Sequence, residues 1–318
     1  MKKVNSPIIK LIPDFLDYID VEKGLSPKTQ ENYARFLKRF ENWLNVKKMN
    51  SLLPHELTKE IIWKYRIFLA RQTTSRQTKI NLSKKTQNFY LIALRSLLSY
   101  FVDKDIISLP PDKISLAKQE KNPSVHFLSL DKVKKLLDSP SQKNVQGLRD
   151  KAILETLFSS GMRVSELVAL NRNEVSVKNT DKVFELPIKG KGNKTRTVYF
   201  SIRAVNAIRA YVSERTDIEP ALFINFSVIK KAATSRRLTT RSVERIVKKY
   251  VKLAGLHLKT TPHTLRHSFA TDLLNNGVDL RLVQEFLGHS DISTTQIYTH
   301  VTNKKLSDVY NKFHAKSS

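Results

Sequence analysis

The sequence predicts a mainly α-helical protein of two domains with one small β-sheet. The chain has 318 residues, which at about 150 residues per domain corresponds to two domains. Apolar residues recur at steps of three and four through most of the sequence, the period of a helix with one buried face. Residues 182–200 instead contain two runs rich in β-forming residues on either side of a glycine-containing turn, which is typical of a β-hairpin.

Four helices are predicted in the first third of the chain. Ser26 followed by Pro27 is a typical helix start, and Thr58 and Ser83 are suitable caps for two later helices. The four apolar stripes consist of Leu11, Phe15, Leu16 and Ile19; Tyr33, Phe36, Leu37, Phe40, Trp43 and Leu44; Ile62, Tyr65, Phe68 and Leu69; and Phe89, Tyr90, Leu94, Leu97, Leu98 and Phe101. We therefore expect a helical domain over residues 1–107, with basic exposed faces.

A linker is predicted where this pattern stops. Residues 108–123 begin with the helix-breaking run Ser108-Leu109-Pro110-Pro111 and continue without an apolar period. We expect a second domain over residues 124–318. Its first helix begins at Ser129, where an apolar stripe resumes, and a later helix ends at Gly161. The β-hairpin and further helices follow.

The composition favours a polyanionic partner. Lys and Arg number 56 and Asp and Glu 29, which gives a formal net charge of +27. Such an excess suits a nucleic acid or an anionic membrane surface, and because it is spread over the whole chain it suits a protein that wraps a DNA duplex. On charge alone, a basic soluble protein without such a partner stays open.

Several classes of site and segment are excluded by what the sequence lacks. It has no cysteine, which excludes disulfides, thiol nucleophiles and cysteine zinc sites. No apolar run approaches the roughly 18 residues of a membrane span, and Lys10 and Pro13 interrupt any signal-peptide core. We expect a cytoplasmic protein that does not contact a membrane.

Two short clusters in the second domain carry basic residues suited to binding phosphate. Arg163 follows the helix end at Gly161, although a surface charge paired with Glu166 is the more common explanation for a single arginine. The hairpin tip Lys189-Gly190-Lys191-Gly192-Asn193-Lys194 has glycines that let a backbone approach a ligand closely. It lacks the residue order of a P-loop, and a solvated basic turn is its simpler explanation.

A third cluster lies at a predicted helix start. Thr261 caps the helix and Pro262 takes its first position, so His263 and Arg266 share a face near the N-terminus, where anions are favoured. His263 and His267 are four residues apart, which also fits zinc. No glutamate lies beside His263 and no acidic third ligand is evident, so we expect no metal site.

The fourth cluster lies near the C-terminus. Ser293 is a suitable cap for a short helix that positions Tyr298. A lone tyrosine is most often a packing residue with one hydrogen bond. Here, however, five of the eight histidines lie between His257 and His300, close to Tyr298 in the sequence.

Together the four clusters form a set suited to attack on a phosphodiester. Such an attack places negative charge on the non-bridging oxygens, and Arg163 and Arg266 can stabilise that charge through bidentate contacts. The leaving 5′-oxygen needs a proton, for which Lys191 is the candidate donor.

The attacking group completes this set. Tyr298 can form a covalent phosphotyrosine, and His263 or His289 can assist removal of its proton. The covalent link keeps the energy of the phosphodiester, so neither a metal ion nor a nucleotide is needed. We expect an enzyme without a cofactor.

At these residues the chain resembles the tyrosine recombinases of the phage integrase family, most closely the Xer site-specific recombinases. The ordered family signature of Arg, Lys, His-x-x-Arg, His or Trp, and Tyr is matched here by Arg163, Lys191, His263, Arg266, His289 and Tyr298. Within the hairpin, Lys191 and not Lys189 or Lys194 is the matching position. Residues 262–301 look Xer-like almost throughout, and the resemblance covers essentially the whole chain.

The resemblance implies a fold and an activity. It implies a SAM-like helical core-binding domain that clamps DNA over 1–107, the linker 108–123, and a mixed α/β tyrosine recombinase catalytic domain with a C-terminal exchange helix over 124–318. The implied enzyme cleaves and rejoins DNA by transesterification through a 3′-phosphotyrosine, with Tyr298 as nucleophile and without metal or ATP.

The resemblance also implies an assembly. Its partner is double-stranded DNA with an inverted-repeat recombination site, bound by a homo-tetramer, or a hetero-tetramer with a paralogue, on two such sites. An apolar stripe after Tyr298 suits docking on a neighbouring protomer, with docking on its own protomer as the alternative; it consists of Leu306, Val309, Tyr310 and Phe313.

Four functions remain open at this stage. We favour resolution of chromosome dimers at a dif-like site, because no additional arm-binding module is evident. A DNA translocase is a further candidate partner in that function. An integrase or excisionase of a mobile element uses the same chemistry, and a type IB topoisomerase uses similar residues as a monomer. A non-catalytic DNA-binding protein is the fourth possibility, but it leaves the catalytic set unexplained.

The chain departs from common family residues at a few positions without losing a catalytic group. These positions are Met162, Thr195, Asp272 and the long basic loop 225–237.

Overall fold

The computed structural model describes residues 1–73, 80–118, 126–175, 184–189, 195–226 and 236–288. By their contacts they fall into two compact units, Met1–Lys121 and Asn122–Ser318. The predicted fold class, mainly helical with a small sheet, is confirmed. Among the described helices, none has the length and apolar character needed to cross a membrane.

The N-terminal unit is built from α-helices that begin where the sequence predicts. They are α1 (Ile12–Val21), α2 (Pro27–Val46), α3 (Lys59–Arg71) and α4 (Lys84–Asp103), with 3-10 turns at Ile8–Leu11, Pro54–Glu56 and Pro111–Lys113. The side chains of Ser26, Thr58 and Ser83 each accept a hydrogen bond from the backbone N–H three residues further on. These caps satisfy amide groups that a helix start leaves without a partner.

Aromatic side chains fill the core of this unit. The rings of Trp43 and Phe40 lie against Tyr65, with centroid distances of 5.2 and 4.9 Å. Ile114, within the predicted linker, is fully buried in the same core. The Asn88 amide donates to the carbonyl of Ala117 and accepts from its N–H. Residues 108–118 are therefore held by the N-terminal unit.

The C-terminal unit places a hairpin among helices. Its elements are α5 (Leu130–Leu137), α6 (Val145–Ser160), α7 (Val164–Ala169), β1 (Phe184–Lys189), β2 (Thr195–Phe200), α8 (Ile202–Ser213), α9 (Thr240–Leu253), α10 (Pro262–Asn275) and α11 (Leu280–Leu287). The two strands are antiparallel, and Lys189 pairs with Thr195 at the turn end. The turn itself, 190–194, lies outside the described residues.

Helix α6 lies at the centre of this unit and is almost entirely buried, with α8, α10 and β2 packed around it. It ends at Gly161, whose φ of 58° is the left-handed conformation that favours glycine. Ser129 is the N-cap of α5 as predicted, but its side chain accepts no cap hydrogen bond. Thr261 caps α10 by accepting from the N–H of Thr264, and Pro262 follows it. The ends of α6, α10 and α11 carry the candidate site.

Candidate active site

Arg266 is held between the ends of two helices. It lies in the second turn of α10 and is only 5% exposed. Its Nη1 donates to the carbonyl of Gly161, where α6 ends, and its Nη2 to the carbonyl of Leu287, where α11 ends, both at 2.6 Å. Because carbonyls at a helix C-terminus have no partner within the helix, they are good acceptors for a buried cation.

Arg163 lies two residues after Gly161, and its side chain also reaches the C-terminal end of α11. It is the N-cap of α7, where its backbone N–H donates to the Glu166 carboxylate at 2.7 Å. Its Nη1 contacts Oε1 of Glu166 at 3.1 Å, and its Nη2 lies 3.4 Å from the carbonyl of Gly288. The side chain is 31% exposed, so the guanidinium lies at the surface while Glu166 below it is buried.

A third guanidinium, from Arg196 on β2, completes the cluster. Its Nη1 and Nη2 donate to Oε1 and Oε2 of Glu166 at 2.9 and 2.7 Å. Its Nε lies 3.3 Å from the carbonyl of Phe286. No sequence motif marks Arg196, although the period of two along β2 puts it on the same face as buried Val198 and Phe200. A charge on that face signals a buried partner.

The electrostatics of this arginine cluster, Arg163, Arg196 and Arg266, centre on Glu166 and on the end of α11. Burial by itself raises the pKa of Glu166, but hydrogen bonds from Arg196 and Arg163 outweigh it and lower the pKa below its usual value. The carboxylate is therefore ionised. Consecutive carbonyls of Phe286, Leu287 and Gly288 receive one guanidinium each, at the negative end of the helix dipole.

The two histidines of α10 differ in exposure. His263 is exposed in the first turn, three residues before Arg266. Burial, followed by electrostatic interactions with His263 and Arg266, lowers the pKa of His267 to about 4, so His267 is neutral near pH 7. Within the described ranges, no group of three or more His, Asp or Glu side chains could hold a metal ion.

The structure thus brings together Arg163 and Arg266, with His263 on the same helix as Arg266. Lys191, His289 and Tyr298, together with Ser293 and the apolar stripe from Leu306 to Phe313, lie outside the described residues. In the sequence, His289 directly follows Gly288 of the cluster. The arrangement of clustered cations around a partly exposed guanidinium can bind and polarise an anionic oxygen.

Comparison with known proteins identifies relatives along nearly the whole chain. Sequence models of the phage integrase family and of the phage integrase N-terminal SAM-like domain match residues 126–305 and 12–105. Tyrosine recombinase XerC of Thermodesulfovibrio yellowstonii is 36% identical over 312 residues, covering 95% of each chain. Tyrosine recombinase XerD of Listeria monocytogenes is 38% identical over 310 residues, covering 96% of this chain and 99% of the relative.

A solved structure has the same fold. The XerH site-specific recombinase bound to its difH substrate in a pre-cleavage complex superposes with a TM-score of 0.69 at 22% identity, covering 97% of each chain. At this identity the likeness concerns the fold. It extends over both units of the chain and not over the C-terminal unit alone.

Proposed function

The chain belongs to the phage integrase family of tyrosine recombinases, and we propose that this site-specific recombinase resolves chromosome dimers at a dif-like site. The chemistry of the family is cleavage and rejoining of DNA. The observation that carries the catalytic part of the proposal is the convergence of Arg163 and Arg266 on the end of α11. The Xer names of relatives aligned over nearly the whole chain support the chromosomal role.

We assign Arg163 and Arg266 to the scissile phosphate. Both guanidiniums contact the non-bridging oxygens, on which negative charge builds as the phosphorus becomes five-coordinate. Arg266 is buried and fixed by two carbonyls, so it needs no rearrangement when the charge develops. Such prepositioned donors lower a barrier more than mobile ones do.

The remaining roles concern the proton and the new bond. Oη of Tyr298 attacks the phosphorus, the bond from phosphorus to the 5′-oxygen breaks, and a 3′-phosphotyrosine forms. Lys191 gives a proton to the leaving 5′-oxygen, and His263 or His289 receives the proton of the tyrosine. A free 5′-hydroxyl reverses these steps and rejoins the strand, so no cofactor is consumed.

The proposed partner is double-stranded DNA with an inverted-repeat site, bound by four protomers on two sites. The protomers are copies of this chain, or of this chain and a paralogue. The stripe Leu306, Val309, Tyr310 and Phe313 docks on a neighbouring protomer. Deleting residues 304–318 should leave binding to one site and abolish the four-protomer complex, measured by sedimentation with DNA. A chromosomal substrate places the enzyme in the cytoplasm.

Covalent capture tests the chemistry. Nicked duplexes of random sequence are incubated with the wild-type protein, and those recovered as detergent-resistant adducts define the substrate. Tyr298→Phe should abolish adduct formation and leave DNA binding nearly intact, and adducts that persist would reject the nucleophile. Arg163→Ala or Arg266→Ala should each cost about 3 kcal/mol of transition-state stabilisation. Recovered sequences that lack an inverted repeat would reject the dif-like site.

A further inference from the structure

Glu166 and Arg196 have no role in the chemistry described so far, yet they form the buried base of the site. The side chains of Glu166 and Arg196 are 7% and 10% exposed. Burying a carboxylate is costly unless cations and hydrogen bonds compensate for lost water. The Glu166 carboxylate accepts hydrogen bonds from the guanidiniums of both Arg163 and Arg196, which compensate for its burial.

The charges of this group decide what Arg163 can do. Two guanidiniums and one carboxylate leave a formal net charge of +1. Without Arg196, Arg163 would be the remaining cation paired with Glu166 in this group, and the pair would have no net charge. A neutral pair stabilises an anionic phosphate far less than a net cation does, because the opposed charges nearly cancel at the phosphate.

The contact of Arg196 with Glu166 also fixes direction. It is a fork-to-fork pair, with each Nη on a different carboxylate oxygen. This holds Glu166 so that Oε2 accepts from the backbone N–H of Arg163 and Oε1 from its Nη1. The orientation of Arg163 is therefore set from β2 as well as from its own helix.

Arg196 further joins two segments that lead to candidate catalytic residues. Its Nε lies near the Phe286 carbonyl, and a Cβ on Gly288 would lie only 2.6 Å from its Cδ. The rings of Tyr199 and Phe286 pack with centroids 5.6 Å apart. Along the chain, β2 follows Lys191 and α11 precedes His289, so Arg196 connects the two segments that flank these candidate residues in the sequence.

We propose that Arg196 is a positioning residue for DNA cleavage. It neutralises Glu166 so that Arg163 keeps its charge for the scissile phosphate, and it ties the hairpin strand to the end of α11. This role rests on the proposed function, because it concerns the rate of the same cleavage step. Arg196 touches neither the phosphate nor the reacting atoms in this role.

Charge-balanced variants test it on the nicked duplexes captured by the wild-type protein. Arg196→Met should lower the single-turnover cleavage rate roughly 10- to 100-fold, by analogy with the range seen when hydrogen-bond partners of metal ligands are removed. DNA binding draws on many basic residues and should change little. Adding Glu166→Gln restores the net charge of +1, so the double variant should cleave about tenfold faster than Arg196→Met.

A packing role predicts the opposite order, because the double variant loses two buried partners and should be no faster than the single one. That result, or unchanged cleavage by Arg196→Met, would overturn the proposal. Arg203→Met is the control: it also removes a guanidinium from a buried carboxylate, Glu155 at 2.8 Å, but the carboxylates that pair with Arg203 are Glu155 and Asp138 and not Glu166. Its cleavage rate should match that of the wild type.

Two further measurements distinguish a misfolded variant, a wrong role for Arg196 and a wrong proposed function from one another. If Arg196→Met does not fold, as judged by its thermal transition, Arg196→Lys replaces it. Lysine keeps the charge but loses the fork, so its rate should lie between wild type and the loss expected for methionine; a rate equal to that of the wild type would overturn the positioning role. If the wild-type protein itself captures no DNA, the proposed function fails, and not merely the role of Arg196.

Discussion

The two units of this chain fill their interiors in different ways. Among the described residues, Asn88 is the buried polar side chain of the N-terminal unit. The C-terminal unit buries charged and polar side chains throughout, namely Arg149, Asp150, Glu155, Thr156, Ser160, Arg215, Thr260, Thr264, Arg266, Ser268 and Thr271. Buried charges cost desolvation energy, and here they fix the direction of guanidiniums. The difference indicates that the C-terminal unit combines its apolar core with directional polar contacts, and those of Arg266 position the candidate site.

The two units also differ in the kind of contact that their buried side chains make. Phe15 packs edge-on to Tyr33 and tilted against Tyr100, and these contacts need no particular donor or acceptor atom. Asp150 instead takes two hydrogen bonds from Arg149 and one from the hydroxyl of Tyr250 at 2.9 Å. Apolar contacts tolerate exchange, whereas ionic contacts require particular atoms. Substitutions of matched size should therefore affect the units unequally.

The largest effect is expected from Asp150→Asn in the C-terminal unit. The side chain keeps its size but loses its charge, which leaves buried Arg149 without an ionic partner and should cost about 3 kcal/mol of unfolding free energy. Thermal and urea unfolding followed by circular dichroism measure it. Asp112→Asn, whose carboxylate pairs at the surface with Lys113, is the control and should change little. An equal loss in both variants would contradict the comparison.

A smaller effect is expected at a left-handed glycine. Gly161 and Gly24 have nearly equal φ values, 58° and 57°. A Cβ on Gly24 meets nothing within 4 Å, whereas one on Gly161 would collide with the ring of Phe269. Gly24→Ala should cost about 1 kcal/mol from backbone strain alone, and Gly161→Ala about 2 kcal/mol or more because the ring must also move. Equal melting shifts would show that the C-terminal unit packs no more tightly there.

The next effect depends on pH and comes from a half-buried histidine of the C-terminal unit. The folded pKa of His267, about 4, lies below its ordinary value of 6.5, so the unfolded chain binds more protons between these values. The stabilisation is fully present above pH 6.5 and is lost as the pH falls toward 4. After solvent screening it should amount to about 1–2 kcal/mol. His267→Gln should flatten the pH dependence of the unfolding free energy over this window, as measured by urea unfolding at a series of pH values, and an unchanged slope would contradict the assignment.

The sequence was sufficient where the determining contact is local. Caps such as Ser26 and Thr261 bond three residues onward, so four neighbouring letters contain the whole interaction. The pairing of Arg163 with Glu166 was recognised for the same reason. Arg196 was missed because its partner Glu166 is 30 residues away and meets it only when the hairpin packs against α7.

Other features of the fold leave no periodic pattern in the sequence. Ile114 and Leu116 lie in a mostly polar run that is too short to show a helical period, yet Ile114 is fully buried. The family and the fold class are confirmed. The roles of Lys191, His289 and Tyr298, and the domain boundaries at 107 and 124, stay predictions, because they rest on ordered signature residues and composition and not on a measured contact.

The smallest effect is expected from an apolar exchange in the N-terminal unit. Phe15→Leu keeps an apolar side chain among rings that can shift, and should cost only about 1 kcal/mol. Both tryptophans of the chain, Trp43 and Trp63, lie in this unit, so their fluorescence during urea unfolding reports its stability. Phe15→Asn is the control, since it puts an unpartnered amide into the same place and should cost more than the leucine variant does. If the leucine variant lost as much as Asp150→Asn, the N-terminal core would be as demanding in shape as the ionic network is in charge, and the contrast between the units would fail.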